Sequence, residues 1–212
     1  MADQRTIQQA EWKYFHNIIT WRSFHYSVSI SFEPDYSIGK TELQYVSTTG
    51  SGTNPIYLFG KLDQRTLYFT FRVNYTINPE LSIEYYGQPF VSAGKYSAFK
   101  KITSPDADKF RERFNNFTPA ELTYDPSSNA YNVNDGGTYS FGNPDFNFRQ
   151  FRSNLVVRWE YLPGSTLYLV WSQGRTSTDT NGMFSYGNDM KDLFRIMGHN
   201  VFLIKLSYWF NL

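Results

Sequence analysis

The last thirteen residues, 200–212, alternate in a way that is typical of a β-strand with one apolar face. Every second side chain is apolar or aromatic, namely Phe202, Ile204, Leu206, Tyr208, Phe210 and Leu212. The side chains between them are mixed. Successive side chains of a strand point to opposite faces, so one face here is apolar throughout. An outer-membrane barrel needs such a closing strand, because that strand must turn an apolar face toward lipid.

The same alternation recurs along the chain and is clearest at 67–77. Apolar residues there occupy the odd positions from Leu67 to Ile77. Polar residues such as Arg72 and Asn74 lie on the other face of the same strand. After the turn Asn78-Pro79-Glu80 the pattern resumes, and matching faces place Tyr75 opposite Ile83. Further strands are predicted at 24–33, 38–48, 149–161 and 166–175, with a weaker one at 7–17.

The lengths of the connections give the predicted strands a direction. Short turns are expected near 34–37, 78–80 and 162–166, and long connections at 49–65, 92–148 and 176–199, with short helices at 104–114 and 188–197. Outer-membrane barrels place short turns on the periplasmic side and long loops outside. The strands near 24–33, 67–77, 149–161 and 200–211 would then run inward. We therefore predict an all-β fold, an antiparallel transmembrane β-barrel of about 8 strands that fills 1–212 as one domain or as part of a larger barrel.

Composition excludes several other classes of protein. The mean hydropathy is −0.50, and no run of about 18 apolar residues is present, so no transmembrane helix is expected. Cysteine is absent, which excludes disulfides and thiolate sites, and the net charge of +1 gives no footprint for nucleic acid. A soluble sandwich with its apolar faces turned inward remains the alternative, since alternation alone does not distinguish it from a barrel. Against it, the polar faces carry Ser, Thr, Asn, Arg and Tyr rather than Lys and Glu.

The polar face of the predicted strands carries charges that would meet inside a narrow barrel. They are Arg72, Glu84, Arg152, Arg158, Glu160 and Lys205. Eight strands leave only enough interior space for side chains, and buried charges are tolerated mainly when paired. We therefore expect a lumen network of ion pairs, with Arg72 near Glu84, rather than catalytic acids and bases.

The long connection 92–148 is the candidate binding region. Its aromatic side chains, which could stack on the apolar faces of sugar rings, are Tyr124, Tyr131, Tyr139 and Phe141. The three histidines lack metal-ligand spacing, and the Asp- and Asn-rich stretch 125–135 does not follow the spacing of a calcium loop. We expect no metal, no cofactor and no catalytic residues.

Five stretches of the chain carry a family resemblance. They are LDQRTL at 62–67, YGQPFVSAGKY at 86–96, FGNPDFNF at 141–148, SNLVVRWEY at 153–161 and PGSTLYLVW at 163–171. Together they resemble the C-terminal outer-membrane β-barrel region of large Gram-negative surface proteins that carry an N-terminal module like family-nine carbohydrate-binding domains. The resemblance covers most of 24–212 and implies a bacterial outer-membrane location. This chain lacks the signal peptide, the carbohydrate-binding-like module and the first part of the barrel, so we expect a piece of a longer chain.

Two functions follow as expectations. The first is a structural, transport-associated or envelope-complex barrel whose partners are outer-membrane lipid, other envelope proteins or the missing N-terminal part of a longer chain. The second is a surface protein that binds glycan or another ligand through its extracellular loops. A glycan-processing hydrolase is a remote third, because no motif places paired carboxylates.

Overall fold

The computed structural model describes residues 10–23, 27–50 and 55–210, and strands dominate it. The strands are β1 (Ala10–His16), β2 (Ile19–Ser23), β3 (Val28–Thr49), β4 (Ile56–Asn78), β5 (Leu81–Ile102), β6 (Phe114–Asn116), β7 (Leu122–Asp125), β8 (Ala130–Asn134), β9 (Thr138–Gly142), β10 (Phe146–Leu162), β11 (Ser165–Asp179) and β12 (His199–Ser207). Helix α1 spans Tyr186–Arg195, and a 3₁₀ turn spans Phe110–Arg113. The prediction of an all-β, antiparallel fold is confirmed.

Nine of the strands form one antiparallel sheet in the order β1-β3-β4-β5-β10-β11-β12, with β2 also paired to β3 and β6 to β5. Strands β1 and β2 follow each other along the same edge of β3 in one continuous register. The main sheet therefore has seven strand lines. Within the described residues its two edges, β1 with β2 and β12, are not paired to each other, so the sheet is not closed.

The predicted turn at 34–37 was wrong, because Pro34 and Asp35 lie inside the single 22-residue strand β3. Proline has no N–H and is tolerated in a strand where a ladder bond is missing. Pro34 lies beside the break between β1 and β2, where its carbonyl accepts a 3.4 Å hydrogen bond from the backbone N–H of Asn17. A broken neighbouring strand thus lets β3 run through a proline that the sequence presents as a turn.

This merger changes the predicted strand directions. The segments 24–33 and 38–48 were expected to run opposite ways, but residues 28–33 and 38–48 belong to one strand antiparallel to β4. The strands near 67–77, 149–161 and 200–207 do run in one direction, as predicted. The short connections, 79–80 and 163–164, lie at one end of the sheet. The connections at the other end, 50–55, 103–145 and 180–198, are longer.

The segment 92–148 is far less irregular than predicted. Strand β5 continues to Ile102, β10 begins at Phe146, and strands β7, β8 and β9 form a separate three-stranded sheet between them. The predicted helix at 104–114 is only the 3₁₀ turn, while the one at 188–197 is α1, two residues earlier. Strand β4 likewise begins at Ile56, so the predicted connection 49–65 is short.

The end of the main sheet with the longer connections is covered on both faces. On one face Leu58 and Phe99 pack against Val133 and Phe141 of the small sheet. On the opposite face Val91 packs against Met190 and Leu193 of α1. The half of the sheet near the short turns has neither cover.

Helix α1 is also held by a buried cation. Arg149 is 4% exposed and pairs with Asp179, with Asp189 at 3.6 Å and with Asp192 at 3.7 Å. Asn147, fully buried, donates to Asp189 at 2.8 Å. A buried charge needs such partners, so the cluster sets where α1 sits on the sheet.

We expect Leu193→Ala to release α1 from the sheet. Leu193 is fully buried, and emptying its site should lower the free energy of opening of α1 by about 2–5 kcal/mol. The exposed Lys191 of the same helix is the matched control, because Lys191→Ala should change that free energy by less than about 0.5 kcal/mol. Amide hydrogen exchange of 186–195 measures both. Equal protection in the two variants would contradict the packing described here.

Candidate functional site

The two faces of the main sheet differ in chemistry across all of its strand lines. One row of directly opposed residues, a rung of the sheet, is apolar from edge to edge: Trp21, Ile30, Val73, Tyr85, Leu155, Trp171 and Phe202. The adjacent rung on the same face is Val28, Tyr75, Ile83, Val157, Leu169 and Ile204. These rungs and their neighbours toward the short turns form what we call the apolar band.

The apolar band is uncovered, most of all at the β12 edge. The side chains of Phe202, Ile204 and Leu206 are 75%, 74% and 66% exposed, and Trp159 is 48% exposed. An uncovered patch of this extent is uncommon on a soluble monomer and marks a surface that meets something apolar.

The predicted closing strand is present but shorter than expected. Phe202, Ile204 and Leu206 lie on the apolar band, as the alternation predicted. Strand β12 ends at Ser207, so Tyr208 and Phe210 lie beyond it, with ring centroids 4.7 Å apart. The backbone N–H of Trp209 donates to the hydroxyl of Ser165 at 3.0 Å, which turns the chain over the β10–β11 hairpin and out of the ladder.

The opposite face, which we call the polar face, holds the charges predicted to form a network. One of its rungs is Ser31, Arg72, Tyr86, Asn154, Ser172 and Val201. The structure does not gather the charges into a single network. It divides four of them between two separate groups, one at Arg72 and one at Arg158, Glu160 and Lys205, and leaves Glu84 and Arg152 apart from both.

The first group is centred on Arg72. Its guanidinium pairs with Glu33 at 3.1 Å and lies 5.3 Å from the ring centroid of Tyr86. The predicted partner Glu84 is not within ion-pair distance of it. Because β3 is one long strand, Glu33 lies on the strand next to Arg72, opposite Thr70 and therefore diagonal to Arg72. This diagonal partner on β3 replaces the predicted diagonal partner on β5.

The second group lies at the short-turn end. Arg158 pairs with Glu160 at 2.9 Å, as predicted, and Glu160 also accepts the backbone N–H of Gly164 at 3.0 Å in the turn. The ammonium group of Lys205 lies 5.7 Å from the ring centroid of Tyr168. These contacts fix the hairpin turn and use both charges of the Arg158–Glu160 pair.

Arg152 stands in a third place on the polar face. Its rung continues through Gly174 to His199, at the start of β12. In the part of the chain that the structure describes, no carboxylate lies within 4 Å of Arg152. Arg152 is therefore not part of an ion-pair network.

The four aromatic residues predicted to contact ligand do not form an open platform. Phe141 is 6% exposed and belongs to the core beneath the small sheet, and Tyr131 stacks on it at 5.3 Å. Tyr139 donates its hydroxyl to Asp135 at 3.1 Å, and burial, with the nearby Asp135 charge, raises the pKa of Tyr139. Only Tyr124 is exposed, at 41%. These residues act mainly as the core of the small sheet.

The small sheet is also tied to the main sheet by charge. Lys101 of β5 lies 2.5 Å from Asp135, a carboxylate whose side chain is 4% exposed. Asn143 donates to the carbonyl of Thr180 at 3.1 Å, which joins the small sheet to the connection before α1. The part of the candidate binding region that forms the small sheet is thus a packed cover over the polar face.

Sequence reasoning missed Arg149 and its carboxylates. Arg149 shares the parity of Leu155 and Val157, so it is a charge on the face that is apolar nearer the short turns, and Arg175, opposite Phe151, is another. That break in the pattern was the available signal, and Asp189 within the amphipathic stretch of α1 was the other. Both indicate a covered part of that face.

Neither metal ligands nor a membrane-spanning helix stand out. In residues 10–23, 27–50 and 55–210, no group of three His, Asp or Glu side chains is placed to hold a metal ion. The helices in those same ranges are too short and too polar to cross a bilayer.

The comparisons with known proteins give a family and no further relative. Residues 2–212 match the family model described as a domain of unknown function, DUF5916. The comparisons with curated proteins and with solved structures gave no match. Since the family model covers nearly the whole chain, this protein belongs to the DUF5916 family.

Proposed function

We propose that this chain is a membrane-embedded β-barrel, or a segment of one, in the bacterial outer membrane, with a structural, transport-associated or envelope-complex role and no catalysis. The observation that carries the proposal is the apolar band. It crosses six ladders in register, lies on one face only, and remains uncovered. Lipid is the surrounding that such a face fits.

The height of the band supports lipid over a protein cover. Strand β4 has 23 residues, a length of roughly 75 Å, which is far more than a bilayer core needs. Its apolar alternation runs only over 67–77, about the 9–11 residues of a transmembrane strand. Helix α1 covers the upper end of this stretch, where Tyr186 packs on Phe69 and Val91 lies opposite Leu67, and the small sheet covers the other face above it. The band therefore ends where the covered part of the sheet begins.

The free edges support a barrel with more strands than the described residues provide. With seven strand lines, β12 and the line of β1 and β2 run in the same direction, so direct pairing between them would be parallel. Most transmembrane barrels close with antiparallel ladders and an even number of strands. We propose that at least one further strand, from outside the described residues, completes the barrel beside β12. The resemblance to barrel regions of large surface proteins is consistent with this.

The alternative of glycan binding through the loops receives less support. It relied on four aromatic residues, of which Tyr131, Tyr139 and Phe141 are engaged in packing or hydrogen bonding within the small sheet. A single exposed tyrosine is a weak basis for sugar recognition, so we keep the barrel role as the conclusion.

A barrel should need detergent and should resist unfolding by detergent at room temperature. We expect the purified protein to stay dispersed only with detergent or lipid. On a gel, the unheated sample should migrate at a different position from the heated one. If the protein is soluble and monomeric without detergent, and heating leaves its mobility unchanged, the membrane proposal is wrong.

The orientation of the two faces can be tested because the chain has no cysteine. Val73 lies on the apolar band and its neighbour Asn74 lies on the polar face. With nitroxide labels on the single-cysteine variants Val73→Cys and Asn74→Cys in lipid vesicles, we expect the first to be several times more accessible to oxygen dissolved in lipid. The second should be more accessible to a water-soluble nickel complex. Reversed accessibilities would mean that the apolar face is turned away from lipid.

A further inference from the structure

The polar face carries a zone with almost no charge between the ion pair of Arg72 and the small sheet. It consists of three successive rungs, which begin at Trp12, Tyr14 and His16 of β1 and cross β3 and β4 to β5. The second and third rungs continue through β10 to β11. Within these described strands, the only acidic and basic side chains on the three rungs are Asp35 and His16, which pair at 3.5 Å. We call these three rungs the neutral zone.

Two aromatic rings lie open on the neutral zone at its β1 edge. Trp12 is 44% exposed and Tyr14 is 67% exposed. Their ring centroids are 6.2 Å apart and their planes differ by only 18°, so both rings turn their faces in nearly the same direction. A Cβ at Gly39 would collide with the six-membered ring of Trp12. The indole therefore lies across the adjacent strand, where only glycine leaves room for it, and keeps its outer side exposed.

A second group of aromatic rings lies on the other side of the neutral zone. Tyr68 of β4 faces Phe90 of β5, with ring centroids 6.2 Å apart, and Phe148 of β10 follows at 5.8 Å from Phe90. All three side chains are partly exposed. Strands β1 and β4 are two strand spacings apart, which is roughly 10 Å. The two groups of rings are thus separated by a gap that one short chain of sugar-sized rings would span.

Hydroxyl and amide groups fill the space between and beside the rings. The side-chain amide of Gln64 donates to the hydroxyl of Ser92 at 3.0 Å, and the hydroxyl of Thr66 lies 2.8 Å from that of Ser92. Farther along the zone Gln150 donates to the hydroxyl of Thr176 at 3.2 Å. A hydroxyl can both donate and accept, and a glutamine amide has two donors and an acceptor. These pairs can therefore admit the hydroxyl groups of a ligand.

This combination of groups distinguishes between classes of ligand. A hydrocarbon would cover the rings but would leave the polar groups of Gln64 and Thr66 without partners, which is costly. An anion would meet no lysine or arginine on the described part of the three rungs. A neutral saccharide has apolar ring faces that stack on aromatic side chains and hydroxyl groups that bond to amides and hydroxyls. It matches both features.

We propose that the neutral zone binds a neutral oligosaccharide, with one sugar ring on Trp12 and Tyr14, another against Tyr68 and Phe90, and hydroxyl groups on the amide of Gln64. The site consists of strand residues of the main sheet. It shares no residue with the four aromatic side chains at 124–141, which act mainly as the core of the small sheet. The site depends on the register of the sheet and not on whether the sheet lies in a membrane.

The test is a calorimetric titration of the full chain with three neutral hexasaccharides, maltohexaose, cellohexaose and mannohexaose, and with the acidic hexagalacturonate. The medium is buffer or a detergent without a sugar headgroup, whichever keeps the protein dispersed, so the result is independent of the membrane role. We expect saturable binding of at least one neutral probe and weaker binding of the acidic one. Failure of all three neutral probes to bind, or tighter binding of the acidic probe, would overturn the proposal.

Trp12→Ala addresses the site, and Trp21→Ala is its matched control. Trp21 lies on the same edge of the sheet and is 56% exposed, but it belongs to the apolar band. We expect Trp12→Ala to weaken binding of the neutral probe by about fivefold or more, because it removes a stacking surface. Trp21→Ala should bind like the unchanged protein, and circular dichroism verifies that both variants are folded. Equal losses in the two variants would mean that the edge strands, not a site on the polar face, determine binding.

Two substitutions of Tyr14 separate ring stacking from simple apolar contact. Tyr14→Phe keeps the aromatic face, whereas Tyr14→Leu keeps only an apolar side chain. We expect Tyr14→Phe to retain most of the affinity and Tyr14→Leu to lose roughly three- to tenfold. Tyr14 is largely exposed, so neither substitution should disturb the fold. If the two variants bind the neutral probe equally, the ligand does not stack on this ring and the proposed site is wrong.

Discussion

The fold depends on register, which is maintained across six antiparallel ladders. A strand that slips by one residue sends every side chain to the opposite face, so one error would place Arg72 among the rings of the apolar band. The rung from Trp21 to Phe202 stays apolar at every step, and the next rung on the other face carries polar groups up to Ser172. Burial of charge on the apolar side would be costly whatever covers that side, lipid or protein. Alternation within each strand and agreement between strands therefore specify the same pairing.

The two halves of the long strands have different surroundings. Near the short turns the sheet keeps one face apolar and uncovered. Near the longer connections the same apolar parity admits Arg149, and α1 brings Asp189 to it, so that part of the face is closed by protein. On the polar face the small sheet packs Val133 and Phe141 onto Leu58 and Phe99. A strand of more than twenty residues can keep a regular backbone while one half is covered by protein and the other half is exposed. The difference depends on the side chains of each half, because they make the contacts on either face.

The alternation of apolar and polar residues in the sequence predicted which face of a strand each side chain occupies. It did not predict the features that depend on which other segments lie beside a strand. Tyr75 lies opposite Ile83, as parity predicted, because a two-residue turn leaves the hairpin little freedom. In the second hairpin Trp159 faces Leu167, and the connection 163–164 is shorter than the predicted turn at 162–166. From the sequence alone, Pro34 is typical of a turn. It lies within a strand only because the adjacent strand breaks there. The partner of Arg72 depended on the same point, since Glu33 is its neighbour only if β3 is continuous. Phe141 likewise looks like a surface aromatic until Phe99 is known to lie beneath it.

Strand β12 is the most exposed strand of the described sheet, and its outer edge is unpaired. All nine of its residues are exposed, its outer edge has no ladder partner, and Leu203 makes it apolar on the polar face as well as on the band. An open apolar edge is a template for another strand, and native proteins normally blunt such edges with charge, proline or a cover. Lys205 is the only lysine, arginine, aspartate or glutamate in β12. Edge protection is thus weak where exposure is greatest. The seven strand lines require that an antiparallel strand beside β12 run opposite to β1 and β2, so the described edge strands do not provide it. Within the described residues, the β12 edge is therefore open to pairing with a further antiparallel strand.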